Sequence, residues 1–148
     1  MITDLKDDPK AFRAAIREWL HRCAPKDWKN RVGDDEDAFV ELQREWMIEC
    51  AKVGLAIPHW PSAYGGADLS LTGQVILTDE MARADTPYFH HYMVALNHIP
   101  GTLIPFGTDA QKRKYLPEVP KGTIWCQGFS EPGAGSDLAS LRCRAQHS

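Results

Sequence analysis

The sequence predicts a mainly α-helical bundle that passes, near its end, into the opening strands of a sheet. Apolar residues recur three and four apart in the first two-thirds of the chain, as at Phe12, Ile16, Leu20 and Cys23. A second set, Phe39, Leu42, Trp46, Cys50 and Val53, keeps the same spacing, and each set lies along one helix face. After Thr123, aromatic and β-branched residues gather between two turn signals, "PKG" and "EPGAGS", the pattern of a strand.

The 148 residues, 43% hydrophobic and 25% charged, suit one domain, or one domain and a piece of another. A net charge of −3 and a pI near 6.0, with no cluster of Lys and Arg, argue against a nucleic-acid binder, which must neutralise phosphates. No apolar run approaches the ~20 residues of a membrane span. The start, "MITDLKDDPKAF", is acidic and has no apolar leader, so the cytoplasm is the expected compartment.

Cys23, Cys50, Cys126 and Cys143 form no CxxC pair. Neither a zinc ribbon nor a redox dithiol is suggested, and the isolated thiols are expected to pack as small apolar groups. His90 and His91 are adjacent and point to different sides of a helix, so no metal site is expected there.

Asp8 before Pro9 is a cap followed by a proline at the first helical position, which starts a helix over residues 9–24. The acidic run "GDDEDAF" favours the start of the next helix through its dipole, and Gly54 suits the left-handed residue that closes it. The stretch "IPHWPSAYGGADLS", with two prolines and a glycine pair, is a loop. In it Trp60 reads as a packing residue like Trp46, and Tyr64, Gly65 and Gly66 as a turn.

Ser70 or Thr72 caps a third helix running to about Ala84, with Val75, Ile76, Glu80 and Met81 near one another. A fourth segment, from Pro87 to about Phe106, must kink or split at Pro100 and Pro105. Thr108 and Gln111 form a capping box for a short helix that Pro117 stops. Strands are expected at residues 123–130 and 138–144, so the chain divides at 1–121, helical, and 122–148, the front of a second domain.

The stretch "WCQGFSEPGAGSDLAS" from Trp125 to Ser140 is where chemistry is sought. Gly133 and Gly135 let the backbone present N–H groups, and Ser130 and Ser136 add hydroxyls. A diphosphate or a flavin edge fits these residues, and so does a plain surface loop. No Lys follows the glycines and no GxGxxG opens a helix, which sets aside a Walker loop and a dinucleotide fingerprint.

"GFSEPGAGSDLAS" resembles the first signature of the acyl-CoA dehydrogenase family, where Ser or Thr precedes E-P-x-x-G-S-D. "FGTDAQKRKYLPEVPKG" and "PSAYGGADLS" resemble two further family blocks, in the family's order. The resemblance implies an N-terminal helical domain followed by a β-barrel domain, of which only the first strands are present. It also implies FAD as cofactor, an acyl-CoA substrate, electron-transferring flavoprotein as acceptor, and a homo- or hetero-oligomer.

By the same resemblance, Phe129 and Ser130 would contact the pyrimidine end of FAD, while Gly135 and Ser136 would reach its diphosphate or the pantetheine of the thioester. Gln127 would lie beside flavin and substrate where the family often has a larger aromatic residue, which implies a roomier pocket. His91, Val94 and His98 would line the acyl pocket. The reaction implied is α,β-dehydrogenation: a carboxylate takes the α-proton as the β-hydrogen leaves as hydride to the flavin. Glu131 is a structural part of the turn in the family, whose base comes from a later helical domain.

The wording around Trp125 and Gln127 is similar to the bacterial branch that acts on bulky acyl-CoAs, steroid side-chain thioesters included. An oxidase or monooxygenase of the same superfamily, and a non-catalytic helical subunit that completes a partner's site, remain alternatives.

Overall fold

The computed structural model describes residues 1–144 and 146. After a 3-10 turn at Ile2–Leu5 come six α-helices: α1 (Pro9–Cys23), α2 (Trp28–Val32), α3 (Glu36–Lys52), α4 (Leu71–Arg83), α5 (Ile99–Phe106) and α6 (Asp109–Tyr115). A π-turn at Val94–His98 leads into α5, and a 3-10 turn at Leu116–Lys121 follows α6.

Caps explain where these helices start. The Asp8 carboxylate accepts from the backbone N–H groups of Lys10 and Ala11, Asp35 from that of Ala38, and the Ser70 hydroxyl from that of Gly73. Thr108 and Gln111 form the expected reciprocal box. Each satisfies N–H groups that the first turn leaves without a partner.

The core joins Phe12, Ile16, Trp19 and Leu20 of α1 to Trp46, Met47 and Cys50 of α3, with Ile76, Leu77, Tyr92, Leu96 and Leu116 around them. Trp19 and Trp46 stack with ring centroids 5.2 Å apart and planes 15° from parallel. Burying one such large apolar side chain contributes about 1.5–3 kcal/mol. The five-residue α2, too short to show a periodic signal, is held by Trp28, which stacks on Phe39 at 5.5 Å and donates its indole N–H to the Asp85 carbonyl.

The loop after α3 is fastened to itself. Gly54 turns the chain at φ +78°, as its place predicted. Ala67 N–H then donates to the Ile57 carbonyl and Leu69 N–H to that of Pro58, both at 2.9 Å. Trp60 and Trp46 are each 1% exposed, so both are packing residues, and Ser62–Tyr64 with Gly65 at φ +82° forms the expected turn.

Three expectations need correction. The strands at 123–130 and 138–144 do not form among the described residues. Residues 123–130 pair with no neighbouring strand, Leu138–Ser140 is a 3-10 turn, and the sole pairing is one antiparallel bridge, Glu131 to Ala134. A strand needs a neighbour to take its N–H and C=O groups, and these residues offer none.

The helix begun by Thr108 ends at Tyr115, ahead of Pro117 as expected, and the chain goes on in 3-10 geometry from Leu116 to Lys121. Cys23, Cys126 and Cys143 are exposed, and only Cys50 packs in the core. Val75 is 66% exposed while Glu80 is 2% exposed, so the two face opposite ways on α4.

Candidate functional site

The π-turn is a consequence of Pro100. In an α-helix the Leu96 carbonyl would accept from the N–H four residues on, but that residue is Pro100, which has none. The backbone widens, and Ile99 N–H reaches back five residues to the Val94 carbonyl. The Leu96 carbonyl is satisfied instead from the loop, by His59 Nε2 at 3.1 Å and Trp60 Nε1 at 3.2 Å. A widened turn of this kind often marks a functional position.

This geometry meets the extended run near its middle. His98 Nδ1 lies 3.2 Å from Gln127 Oε1. The run is anchored behind by Gly122 at φ +87° and by Trp125, which stands edge-on to Tyr115 with centroids 5.5 Å apart. Val94 is half-buried on the same π-turn.

His91 is engaged elsewhere. Its Nδ1 lies 2.7 Å from Gln43 Nε2, its backbone N–H donates to Gln43 Oε1 at 3.1 Å, and its Nε2 lies 2.6 Å from Glu36 Oε1. Nε2–H donating to the carboxylate leaves Nδ1 as acceptor for the Gln43 amide. The fully buried Gln43 thus ties the segment before the π-turn to α3. Its signal in the sequence was a polar residue beside Leu42 on the apolar face of α3.

In the glycine turn, Glu131 and Ala134 exchange backbone hydrogen bonds of 2.9 and 3.0 Å. The Glu131 carboxylate accepts from the backbone N–H groups of Arg142 at 3.0 Å and Cys143 at 2.6 Å, so it organises the turn. Gly128, Gly133 and Gly135 have negative φ, and a Cβ on any of them would meet nothing within 4 Å. They leave open space beside the backbone.

Phe129, Ser130, Gly135 and Ser136 are exposed. Among the described residues their backbone N–H groups and the two hydroxyls have no hydrogen-bond partner. Neutral donors along an open backbone suit a ligand rich in carbonyl and phosphate oxygens, which FAD is.

Away from this site, Glu80 is enclosed by arginines. Arg17 donates Nε and Nη2 to its two oxygens at 2.8 and 2.7 Å, and Arg13 donates Nη1 at 2.6 Å. These bonds, Arg17's first, outweigh burial and hold the Glu80 carboxyl down at about 2. The pair locks α1 to α4. A cleft of about 690 Å³ beside it, between Leu20, Trp28 and Ala84, holds none of the residues of the glycine turn. Among the described residues no group of three or more His, Cys, Asp or Glu side chains could hold a metal, and no helix is long and apolar enough to cross a membrane.

Known proteins resemble this chain in sequence and fold. A family model described as acyl-CoA dehydrogenase, N-terminal domain, matches residues 6–123. The acyl-CoA dehydrogenase IpdE1 of Mycobacterium tuberculosis (strain ATCC 25618 / H37Rv) is 40% identical over 145 residues, covering 94% of this chain and 37% of that protein. Among solved structures, the Tcur3481-Tcur3483 steroid ACAD G363A variant matches with a TM-score of 0.71 and 37% identity over 92% of this chain and 35% of its own. The ChsE4-ChsE5 complex from Mycobacterium tuberculosis matches at 0.66 and 31%, over 90% and 33%. The chain therefore spans little more than a third of the length of these relatives. Matched over most of its residues by sequence and by fold, it belongs to the acyl-CoA dehydrogenase family and carries that family's N-terminal helical domain.

Proposed function

We propose that the protein carries out FAD-dependent α,β-dehydrogenation of an acyl-CoA thioester to the 2-enoyl-CoA, with this chain as its N-terminal part and inactive alone. Residues 1–121 form the helical domain and residues 122–148 begin the second, β domain. The observation that supports the reading is the set of donors on Phe129, Ser130, Gly135 and Ser136, without a partner among the described residues, beside open glycines, in a chain of this family.

FAD, when bound, supplies the acceptor for the β-hydrogen as hydride. Phe129 and Ser130 would hold the pyrimidine end of its ring by backbone and hydroxyl groups. Gly135 and Ser136 would hold its diphosphate or the pantetheine of the thioester. Gln127 would border flavin and substrate and Val94 the acyl side, where His91, its ring held by Gln43 and Glu36, would contribute by fixing the segment that leads into the π-turn. Both oxygens of Glu131 are committed to backbone N–H groups, so the base that removes the α-proton comes from outside these residues.

The acyl group is bulky, in keeping with the steroid ACADs this chain is similar to. Electron-transferring flavoprotein is the acceptor, the compartment the cytoplasm and the assembly oligomeric. A second reading, a helical subunit that completes a partner's site, draws support from the similar Tcur3481-Tcur3483 steroid ACAD and ChsE4-ChsE5 complex, each named for two proteins.

The test uses the full-length protein, its flavin content and anaerobic mixing with short, long and steroid acyl-CoAs. Bleaching of the flavin with formation of the enoyl-CoA supports the dehydrogenase. Oxygen consumption with peroxide or a hydroxylated product identifies the oxidase or monooxygenase. A flavin-free protein that gains flavin and activity only with a partner identifies the subunit, and silence with every thioester overturns the reading.

A further inference from the structure

We propose that the cleft of about 690 Å³ between the C-terminal ends of α1 and α4 is a binding site for a small amphipathic anion, a carboxylate or phosphate carried on an apolar body. The inference does not depend on the reaction proposed above.

The hydrogen bonds around the cleft leave donors over. Glu80 is saturated by Arg13 and Arg17, and both oxygens of Asp85 accept from Lys29 Nζ, at 2.5 and 2.7 Å. Asp27 accepts from the Asn30 amide at 2.5 Å through one oxygen. Against its other oxygen stand Arg17 Nη1, both terminal nitrogens of Arg83, Lys26 Nζ and the His21 ring. These line the cleft without a partner among the described residues.

Two of the cations are held in place. Arg17 uses Nε and Nη2 on Glu80, which is 2% exposed, and Arg83 uses Nε on Asp79 at 3.0 Å. A guanidinium carries its five N–H donors in one plane, so a carboxylate on one edge fixes the direction of the other. A side chain already held loses little freedom when a ligand arrives.

The floor is apolar and equally fixed. Leu20 and Trp28 are 2% and 7% exposed, and the indole N–H of Trp28 is tied to the Asp85 carbonyl at 2.6 Å. Half-buried Ala24, Pro25 and Ala84 complete it. The chain turns beside this floor at Asp27 and Asp85, with φ of +54° and +48°. Left-handed backbone at residues other than glycine gathers at ligand sites.

Arg17 and Arg83 are 65% and 67% exposed, and water screens charges so placed. Charge alone is therefore too weak to hold a ligand, and an apolar body over Leu20 and Trp28 must supply the rest. An apolar floor with a few convergent donors is the usual form of a small-molecule site.

The experiment is calorimetric titration of the full-length protein with 4-phenylbutyrate, phenyl phosphate, the neutral 4-phenylbutanol and inorganic phosphate. The two phenyl anions should bind about tenfold or more tightly than either control, the discrimination expected of a charge-assisted hydrogen bond. The tighter of the two identifies the headgroup the site takes. Arg83→Gln and Lys26→Ala change exposed side chains outside the core. Each should weaken both anions several-fold and leave 4-phenylbutanol unmoved. Ala24→Phe fills the floor and should abolish binding with no charge altered. Circular dichroism confirms that each variant is folded.

Failure of both phenyl anions to bind overturns the inference. So does binding of 4-phenylbutanol or of inorganic phosphate as tight as theirs. Anion binding unmoved in Ala24→Phe and in both charge variants would place the ligand elsewhere on the protein and overturn it as well.

Discussion

The indole N–H of Trp60 donates to the Leu96 carbonyl at 3.2 Å, a bond that exists because Pro100 has no N–H to offer that carbonyl. Pro100→Ala supplies it, so the π-turn should relax to an α-helix and rotate His98 by about one residue's step, ~100°. Loss of the His98 to Gln127 proximity in NMR distance data would register the change. Trp60→Phe should cost about 2 kcal/mol, a buried donor and some packing, seen as a lower urea midpoint.

Glu80 sets an acid dependence. Its folded carboxyl, held at about 2 first by Arg17, lies below its ordinary 4.5. A lowered folded value gives stability that is present above the ordinary value and lost as pH falls from about 4.5 towards 2. Glu80→Gln should flatten that part of the stability curve. Because Arg17 is 65% exposed, solvent screens the pair, and Glu80→Ala should cost about 2 kcal/mol at neutral pH.

Two adjacent glycines should respond differently to alanine. At Gly65, φ is +82° and a Cβ would meet nothing within 4 Å, so the cost is that of a left-handed residue, about 1–2 kcal/mol. At Gly66 a Cβ would lie 2.0 Å from the Trp60 carbonyl oxygen, which forces the loop to move. Gly66→Ala should cost more than about 4 kcal/mol or prevent folding, as denaturant melts of the two variants would show.

The thiols should divide in titration with an aromatic disulfide. Cys23, Cys126 and Cys143 are exposed and should react within the mixing phase. Cys50 is fully buried, and burial pushes its thiol well above the ordinary cysteine range. It should react only on unfolding, at a rate that denaturant raises.

Among the described residues the run from Ile124 to Ser130 carries unpaired backbone N–H groups, with Ile124 50% and Phe129 67% exposed. The 148-residue chain alone should self-associate through it, and proteases should cut beyond Gly122. A chain that stays monomeric at high concentration and resists cleavage there would contradict this.

Helix starts were legible because a cap is a local event: Asp8 and Thr108 act within three residues of themselves, Ser70 was one of two candidates with Thr72, and the acidic run around Asp35 marked the start of α3 without singling out its cap. The stripe through Phe12, Ile16 and Leu20 was legible for the same reason, since period alone decides which residues share a face. The three blocks that resemble the acyl-CoA dehydrogenases were legible as words, and they named the family before any fold was seen.

What the chain order could not show was set across long gaps. Glu80 is buried because Arg13 and Arg17 arrive from α1, and Gln43 because His91 closes on it. The kink at Pro100 was foreseeable, but its form, a π-turn whose freed carbonyl is taken by His59 and Trp60, depended on a loop some forty residues earlier. The strands failed for the converse reason, that alternation prepares a strand but only a neighbour completes it. The sequence by itself determined the long helices α1, α3 and α4, the capping box of α6 and the family, because those follow from local geometry and motif. Tertiary structure alone decided which polar groups are buried and which side chain faces Gln127, because both depend on partners far away in the chain.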